Sequence, residues 1–229
     1  MIEIIAMSPE EARCIESCGA DRIELVSALS EGGLTPSYSI IKNVIRAVKI
    51  PVNVMIRPHV KSFTYTGEEI DMMKEDIILA KDLGANGVVF GVLNKNKEIC
   101  ENSLQDLLEV CQGLDVTFHK AIDELLSPDG GMNILTKYTG IKTVLTSGGK
   151  GKILENLSVL KKMTACSGHI NVMVGGGLNF ENIVQIIEET GAREYHFGTA
   201  VRDNKSISGS INEESIKKLI KVLKNPHDI

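Results

Sequence analysis

The chain has 229 residues, enough for one large domain or two small ones, with 43% hydrophobic and 24% charged residues, an ordinary globular composition. Thirty acidic residues outweigh 25 Lys and Arg, and the net charge of −5 gives no basic footprint for nucleic acid or an anionic membrane. No apolar run approaches the roughly 20 residues that cross a bilayer, and the N-terminus lacks the basic-then-apolar order of a secretion signal.

"IEIIAM" (2–7) is the first strand pattern. In "MSPEEA", Ser8 stands as a helix N-cap, Pro9 at the first helical position and Glu11 three residues on, a capping box. Cys14 and Cys18 lie four apart on that helix. "DRIELV" (21–26) is a second strand carrying Arg22 and Glu24. A helix start at Thr35–Pro36 precedes an apolar stripe of Ile40, Ile41, Val44, Ile45 and Val48. Further strands follow at "PVNVMIR" (51–57), "GVVFGVL" (87–93), "DVTFHKA" (115–121), "TVLTS" (143–147), "INVMVGG" (170–176) and "EYHFGTA" (194–200), and Ile183, Ile186 and Ile187 make another helical stripe. Gly19, Gly84, Gly140 and Gly191 each stand just before a strand, where a left-handed residue ends a helix.

Eight strands alternating with helices imply parallel βα units. No glycine fingerprint follows the first strand, which disfavours the dinucleotide-binding open sheet. Side-chain parity decides further. Glu3, Arg22, Glu24, Asn53, Met55, Arg57, Thr117, His119, Asn171, Met173, Glu194 and His196 all share one face, and the opposite face is mostly apolar. Strands sandwiched between two helical layers would be apolar on both faces. The expectation is a single domain over residues 1–229: an eight-stranded parallel (β/α)8 TIM barrel with a polar lumen.

Active sites in such barrels lie at the C-terminal ends of the strands, which here carry Glu24, Arg57, His119 and His196. Two imidazoles, a guanidinium and a carboxylate suit anion binding and proton transfer, or form an ion-paired lumen without further use. "TSGGKG" offers Gly148 and Gly149, "VGGG" offers Gly175, Gly176 and Gly177, and "HFGTA" offers Gly198. Backbone N–H groups after strands six to eight suit a phosphate, although glycine also serves any tight turn. "RPHVKSFTY" (57–65) is either a mobile loop over the mouth, with Arg57, His59 and Lys61 as ligands, or a solvated loop. Lys120 raises a Schiff-base alternative, but its parity points to the helices or the rim. Cys14 and Cys18 are candidates for a soft metal such as Cu(I), or small semi-buried helix residues. No pattern indicates zinc or a Ser–His–Asp triad. Five scattered cysteines argue against a disulfide framework and for a reduced, cytoplasmic protein.

"GADRIEL", "EGGLTPS", "VMIRP", "GVVFGVL", "TFHKAID" and "VLTSGG", in this order, resemble the CutC family of copper homeostasis proteins. The resemblance implies a cytoplasmic TIM barrel with a role in copper homeostasis and Cu(I) binding through cysteine. It also implies a polar mouth of Glu24, Arg57, His119, Asp123 and His196. No organic cofactor is implied; the expected partners are a copper ion or a small anionic ligand, without nucleic acid or membrane, and a homo-oligomer stays open. An enzyme acting by acid–base chemistry on a small anionic or phosphorylated metabolite is the alternative. Three positions depart from the family pattern: Val26 where a cysteine is frequent, His59–Val60 in the loop, and Lys120 with Ile122 where arginine and an aromatic are usual.

Overall fold

The computed structural model describes residues 1–225. Eight strands run β1 (Ile2–Ala6), β2 (Arg22–Leu25), β3 (Val52–Met55), β4 (Gly87–Phe90), β5 (Asp115–Phe118), β6 (Ile141–Thr146), β7 (Asn171–Val174) and β8 (Glu194–Phe197). Each pairs in parallel with the next, and β8 closes on β1. Eight helices alternate with them: α1 (Pro9–Ser17), α2 (Tyr38–Ala47), α3 (Gly67–Asp82), α4 (Glu101–Val110), α5 (Pro128–Leu135), α6 (Leu157–Ala165), α7 (Ile183–Thr190) and α8 (Glu213–Lys224). The closed TIM barrel expected from the sequence is the fold. No helix among the described residues is long and apolar enough to cross a membrane.

The outward strand residues, with Phe90, Phe118 and Phe197 fully buried among them, pack against helix stripes such as Ile41–Val44 and Ile183–Ile186. Each buried side chain of that size contributes roughly 1.5–3 kcal/mol of transfer free energy, which makes the strand–helix layer the main hydrophobic core. The inward face divides in two. Glu3, Arg22 and Glu194 form a buried ionic cluster, while Ile5, Val26, Met55 and Val89 form a separate small apolar cluster. The lumen is therefore less uniformly polar than the parity argument proposed, because the same parity also collects aliphatic residues at the mouth side of β1 to β4.

Three local expectations change. The second helix starts later than Thr35–Pro36: Ser37 is its N-cap, and Thr35 Oγ1 instead accepts the Arg57 N–H at 2.9 Å. Ser8 does cap α1, but Glu11 reaches past it to the Met7 N–H at 2.8 Å and pairs with Arg202 at 2.8 Å. That half-buried pair ties the segment after β8 to the start of α1. Gly19, Gly84 and Gly191 take left-handed conformations at helix ends, whereas Gly140 does not. Helix α5 ends at Leu135, and the chain reaches β6 through tight turns that need no positive φ.

Candidate active site at the barrel mouth

At the C-terminal ends of the strands lies a cavity of about 250 Å³. Its floor is set by a chain of charges. Arg22 Nε donates to Glu3 Oε2 at 2.5 Å, and Arg22 also approaches Glu194 at 3.3 Å. Glu3 Oε1 faces His196 Nδ1 at 2.8 Å, and His196 Nε2 stands 3.7 Å from Glu24 Oε2. The other Glu24 oxygen, Oε1, is buried without a partner. Burial raises the Glu3 carboxyl, but Arg22 and then His196 outweigh it and hold the group below the usual carboxylate range. Burial pushes Glu24 up to about 7, despite the pull of His196 and with Glu3 repelling it. For His196, burial opposes the charge, yet Glu24 and Glu3 keep its pKa above the ordinary value. Glu24 thus titrates near neutral pH beside an imidazole whose hold on its proton is strengthened.

His119 follows β5 and is 4% exposed. Its Nδ1 accepts the Ala121 N–H at 3.2 Å, which caps the short helix Lys120–Glu124, and its Nε2 is buried without a partner. Burial first, and then the Arg57 charge, push its pKa down to about 3. The imidazole is therefore neutral at physiological pH. The Phe63 ring lies 4.8 Å from it and also packs against the Arg57 guanidinium, 4.9 Å away. Arg57 Nη1 donates to the carbonyls of Glu31 at 3.0 Å and Gly33 at 3.2 Å, so it fastens the β2 loop. Its buried Nε has no partner.

On the other side, Gly176, Gly177, Gly198 and Thr199 line the cavity. Gly176 and Gly177 have φ of +87° and +99°, and their N–H groups have no protein acceptor among the described residues. The Lys120 Nζ lies so close to Gly176 that a Cβ there would stand 2.5 Å from it. An ammonium and free N–H groups at one spot are the chemistry of an oxyanion or phosphate site. In the order of the barrel, β3 and β7 are opposite, so Arg57 and Gly176 occupy facing walls. They would touch opposite ends of a small ligand.

Not every candidate reaches the cavity. Gly148 N–H donates to Thr146 Oγ1 at 2.8 Å, Gly175 N–H donates to Thr146 O at 2.9 Å, and Gly149 does not line the cavity, its carbonyl being an alternative acceptor for Ser147 Oγ at 3.1 Å. Asp123 is buried behind the wall. It accepts from Thr146 Oγ1 at 2.5 Å, Ser147 N–H at 2.9 Å and Ser147 Oγ at 2.7 Å, with Lys120 at 3.7 Å. His59 pairs with Glu69 at 3.2 Å, and Lys61 lines a neighbouring hollow instead. Phe63, which lines the cavity, and Gly91, which lies against His119, went unnoticed in the sequence, and Lys120 takes the rim, one of the two places expected for it. Phe63 arrives from a loop and Lys120 from the short helix after β5, whose courses strand parity does not fix.

Soft-metal chemistry has little support at the mouth. Glu3, Glu24 and His196 bring one ligand atom each within 4.8 Å of one another, but Glu3 is already engaged by Arg22. Carboxylates are hard donors, whereas Cu(I) favours thiolates. All five cysteines are free, and none lines the cavity. Val26 occupies the apolar cluster beside it. Cys14 is half-buried, and burial, Cys18 and Glu213 push its thiol up to about 11, which leaves little thiolate. The cavity residues do not fit Cu(I).

The CutC family model matches residues 1–201. A human protein named copper homeostasis protein cutC homolog is 43% identical over 197 residues, covering 86% of this chain and 72% of that one. A CutC family protein of Pasteurella multocida is 39% identical, over 85% of this chain and 80% of its own. The crystal structure of CutC from Streptococcus agalactiae superposes with a TM-score of 0.82 at 32% identity, covering 87% of this chain and 98% of that chain. Phosphoribosyl anthranilate isomerase from Thermotoga maritima, at 15% identity and a TM-score of 0.67 over 97% of this chain and 98% of its own, shares the fold alone. Family model, relatives and fold agree: the chain belongs to the CutC family.

Proposed function

We propose that the barrel mouth is an enzyme active site that moves protons on a small anionic metabolite. The observation that carries this reading is Glu24: a 2%-exposed carboxyl at the cavity wall, one oxygen unpartnered, the other 3.7 Å from His196. A buried carboxyl held near neutrality is costly to a purely structural lumen and suited to general acid–base work. The anion is held by the Gly176, Gly177 and Gly198 backbone and by Lys120, with Arg57 facing it across the cavity. Thermal shift with phosphate and 2-phosphoglycolate tests this, because a ligand that binds only the folded state raises its stability by mass action. Stabilisation that weakens in Lys120→Gln supports the reading; no stabilisation by either anion sinks it.

The names of the relatives favour a second reading, a role in copper homeostasis; in it we place the protein in the cytoplasm and Cu(I) on Cys14 and Cys18. The two thiols are close enough to perturb one another, but Glu213 and Lys217 are their charged neighbours, and among the described residues they form no three-ligand cluster. Anaerobic Cu(I) titration against a chelator decides it. Unchanged affinity in a Cys14→Ser/Cys18→Ser variant removes the pair as the site.

A further inference from the structure

The His119 ring is fixed on three sides. The Ala121 N–H, at 3.2 Å, occupies Nδ1, so the proton of the neutral ring resides on Nε2. Gly91 lies against the ring: a Cβ there would stand 2.5 Å from Nδ1 and 2.7 Å from Cε1. Phe63 closes a third side. What remains for the cavity is a single Nε2–H donor, buried and unpartnered.

This arrangement limits what His119 can do. With its pKa pushed down to about 3, the ring takes up no proton at neutral pH and is a poor shuttle. As a neutral donor it suits an oxygen on which negative charge develops. The Glu24 carboxyl lines the same cavity from β2, three strands away from β5. No cysteine or serine lines the cavity, and the Lys120 ammonium is paired with Asp123 at 3.7 Å. The set thus comprises a base, a donor for an oxyanion and an anion cradle.

We propose that the site catalyses enolisation: proton transfer at the carbon next to a carbonyl, on a small hydroxy- or keto-compound carrying a phosphate or carboxylate. Glu24 removes the proton, and neutral His119 holds the carbonyl oxygen through Nε2–H. The C–H bond breaks and its electron pair forms the C=C bond. The carbonyl π pair moves onto oxygen, where His119 stabilises it. Glu24 then returns the proton to the same carbon and the carbonyl re-forms, so no oxidant, reductant or co-reactant is consumed. The assignment rests on the reading of the mouth as an anion-binding acid–base site and gives it a substrate class.

The test incubates the purified protein in D2O with dihydroxyacetone phosphate, ribulose 5-phosphate, pyruvate and hydroxypyruvate, and follows loss of the α-proton signal by NMR. Exchange with at least one probe, reduced at least 100-fold in Glu24→Gln, is the expected result. His119→Ala should lose at least 10-fold, and His119→Gln should recover part of it, since the amide still donates but cannot relay a proton. If phosphate or 2-phosphoglycolate binds but no probe exchanges, enolisation is overturned and the anion-binding reading stands. If neither anion binds, both fall. Histidine 15N spectra of the wild-type protein give a check that needs no variant: the Nε2–H neutral form should persist from pH 5 to 8. An imidazolium at pH 6 overturns the role assigned to His119.

Discussion

Replacing Glu24 by Gln keeps the side-chain shape and removes the charge, so it isolates what burying this carboxyl costs. Its pKa moves from 4.5 in the unfolded chain to about 7 in the fold, chiefly through burial. Between those values the folded state binds more protons than the unfolded one, so the wild-type protein loses stability as pH rises through this window. At 1.36 kcal/mol per pH unit, the loss reaches about 3 kcal/mol by pH 8 and is about 1 kcal/mol at pH 5. The His119 contribution slopes the other way, because a base with a depressed pKa costs stability as pH falls below 6.5, but it is common to both proteins and cancels in their difference. Glu24→Gln should therefore be more stable than wild type by about 3 kcal/mol at pH 8, with an advantage about 2 kcal/mol smaller at pH 5. For a chain of this size, that corresponds to a Tm higher by roughly 6–12 °C at pH 8. Urea denaturation of both proteins at the two pH values measures it. A pH-independent difference, or a variant less stable than wild type at pH 8, refutes the reasoning.

Two further substitutions test the supports of the site. Gly91→Ala places a Cβ 2.5 Å from His119 Nδ1 and 2.8 Å from the Ala121 Cβ, and should cost about 1–3 kcal/mol by overpacking in chemical denaturation. Unchanged stability would show that the His119 ring is free to move. Asp123→Ala leaves the Ser147 N–H and Thr146 Oγ1 without their carboxylate acceptor, while Ser147 Oγ still reaches Gly149 O, and should cost about 2 kcal/mol or more. A loss below about 1 kcal/mol would show that these buried donors find other partners.

The alternation of strands and helices was legible because period-2 and period-3.6 patterns are local. Closure into a barrel was legible because Arg22, Glu24, Asn53 and His196 repeat on one strand face. Glu24 and His196 come together because their strands are separated only by β1, which parity and chain order already imply. The roles within the mouth were not legible. His119 was a plausible proton carrier until the Ala121 N–H was seen to occupy its Nδ1, a contact made within a turn whose geometry the pattern does not encode. Asp123 resembled a mouth residue by motif, yet its carboxylate turns away from the cavity to satisfy Thr146 and Ser147. Lys120 follows His119 directly, and parity set it apart from the lumen; the helical turn after β5 ends the alternation and brings its ammonium to Gly176.

Arg22 lines no part of the cavity, yet it determines how the ring above it is oriented electrically. A guanidinium stays charged at every accessible pH, so it keeps Glu3 an acceptor only. An acceptor-only Glu3 fixes a hydrogen on His196 Nδ1 and leaves Nε2 alone to answer Glu24. The protonation of the mouth is in this way set from beneath, by a side chain that lines no part of the cavity. A substitution at Arg22 would change the charge of Glu24 and His196 and leave the cavity wall intact.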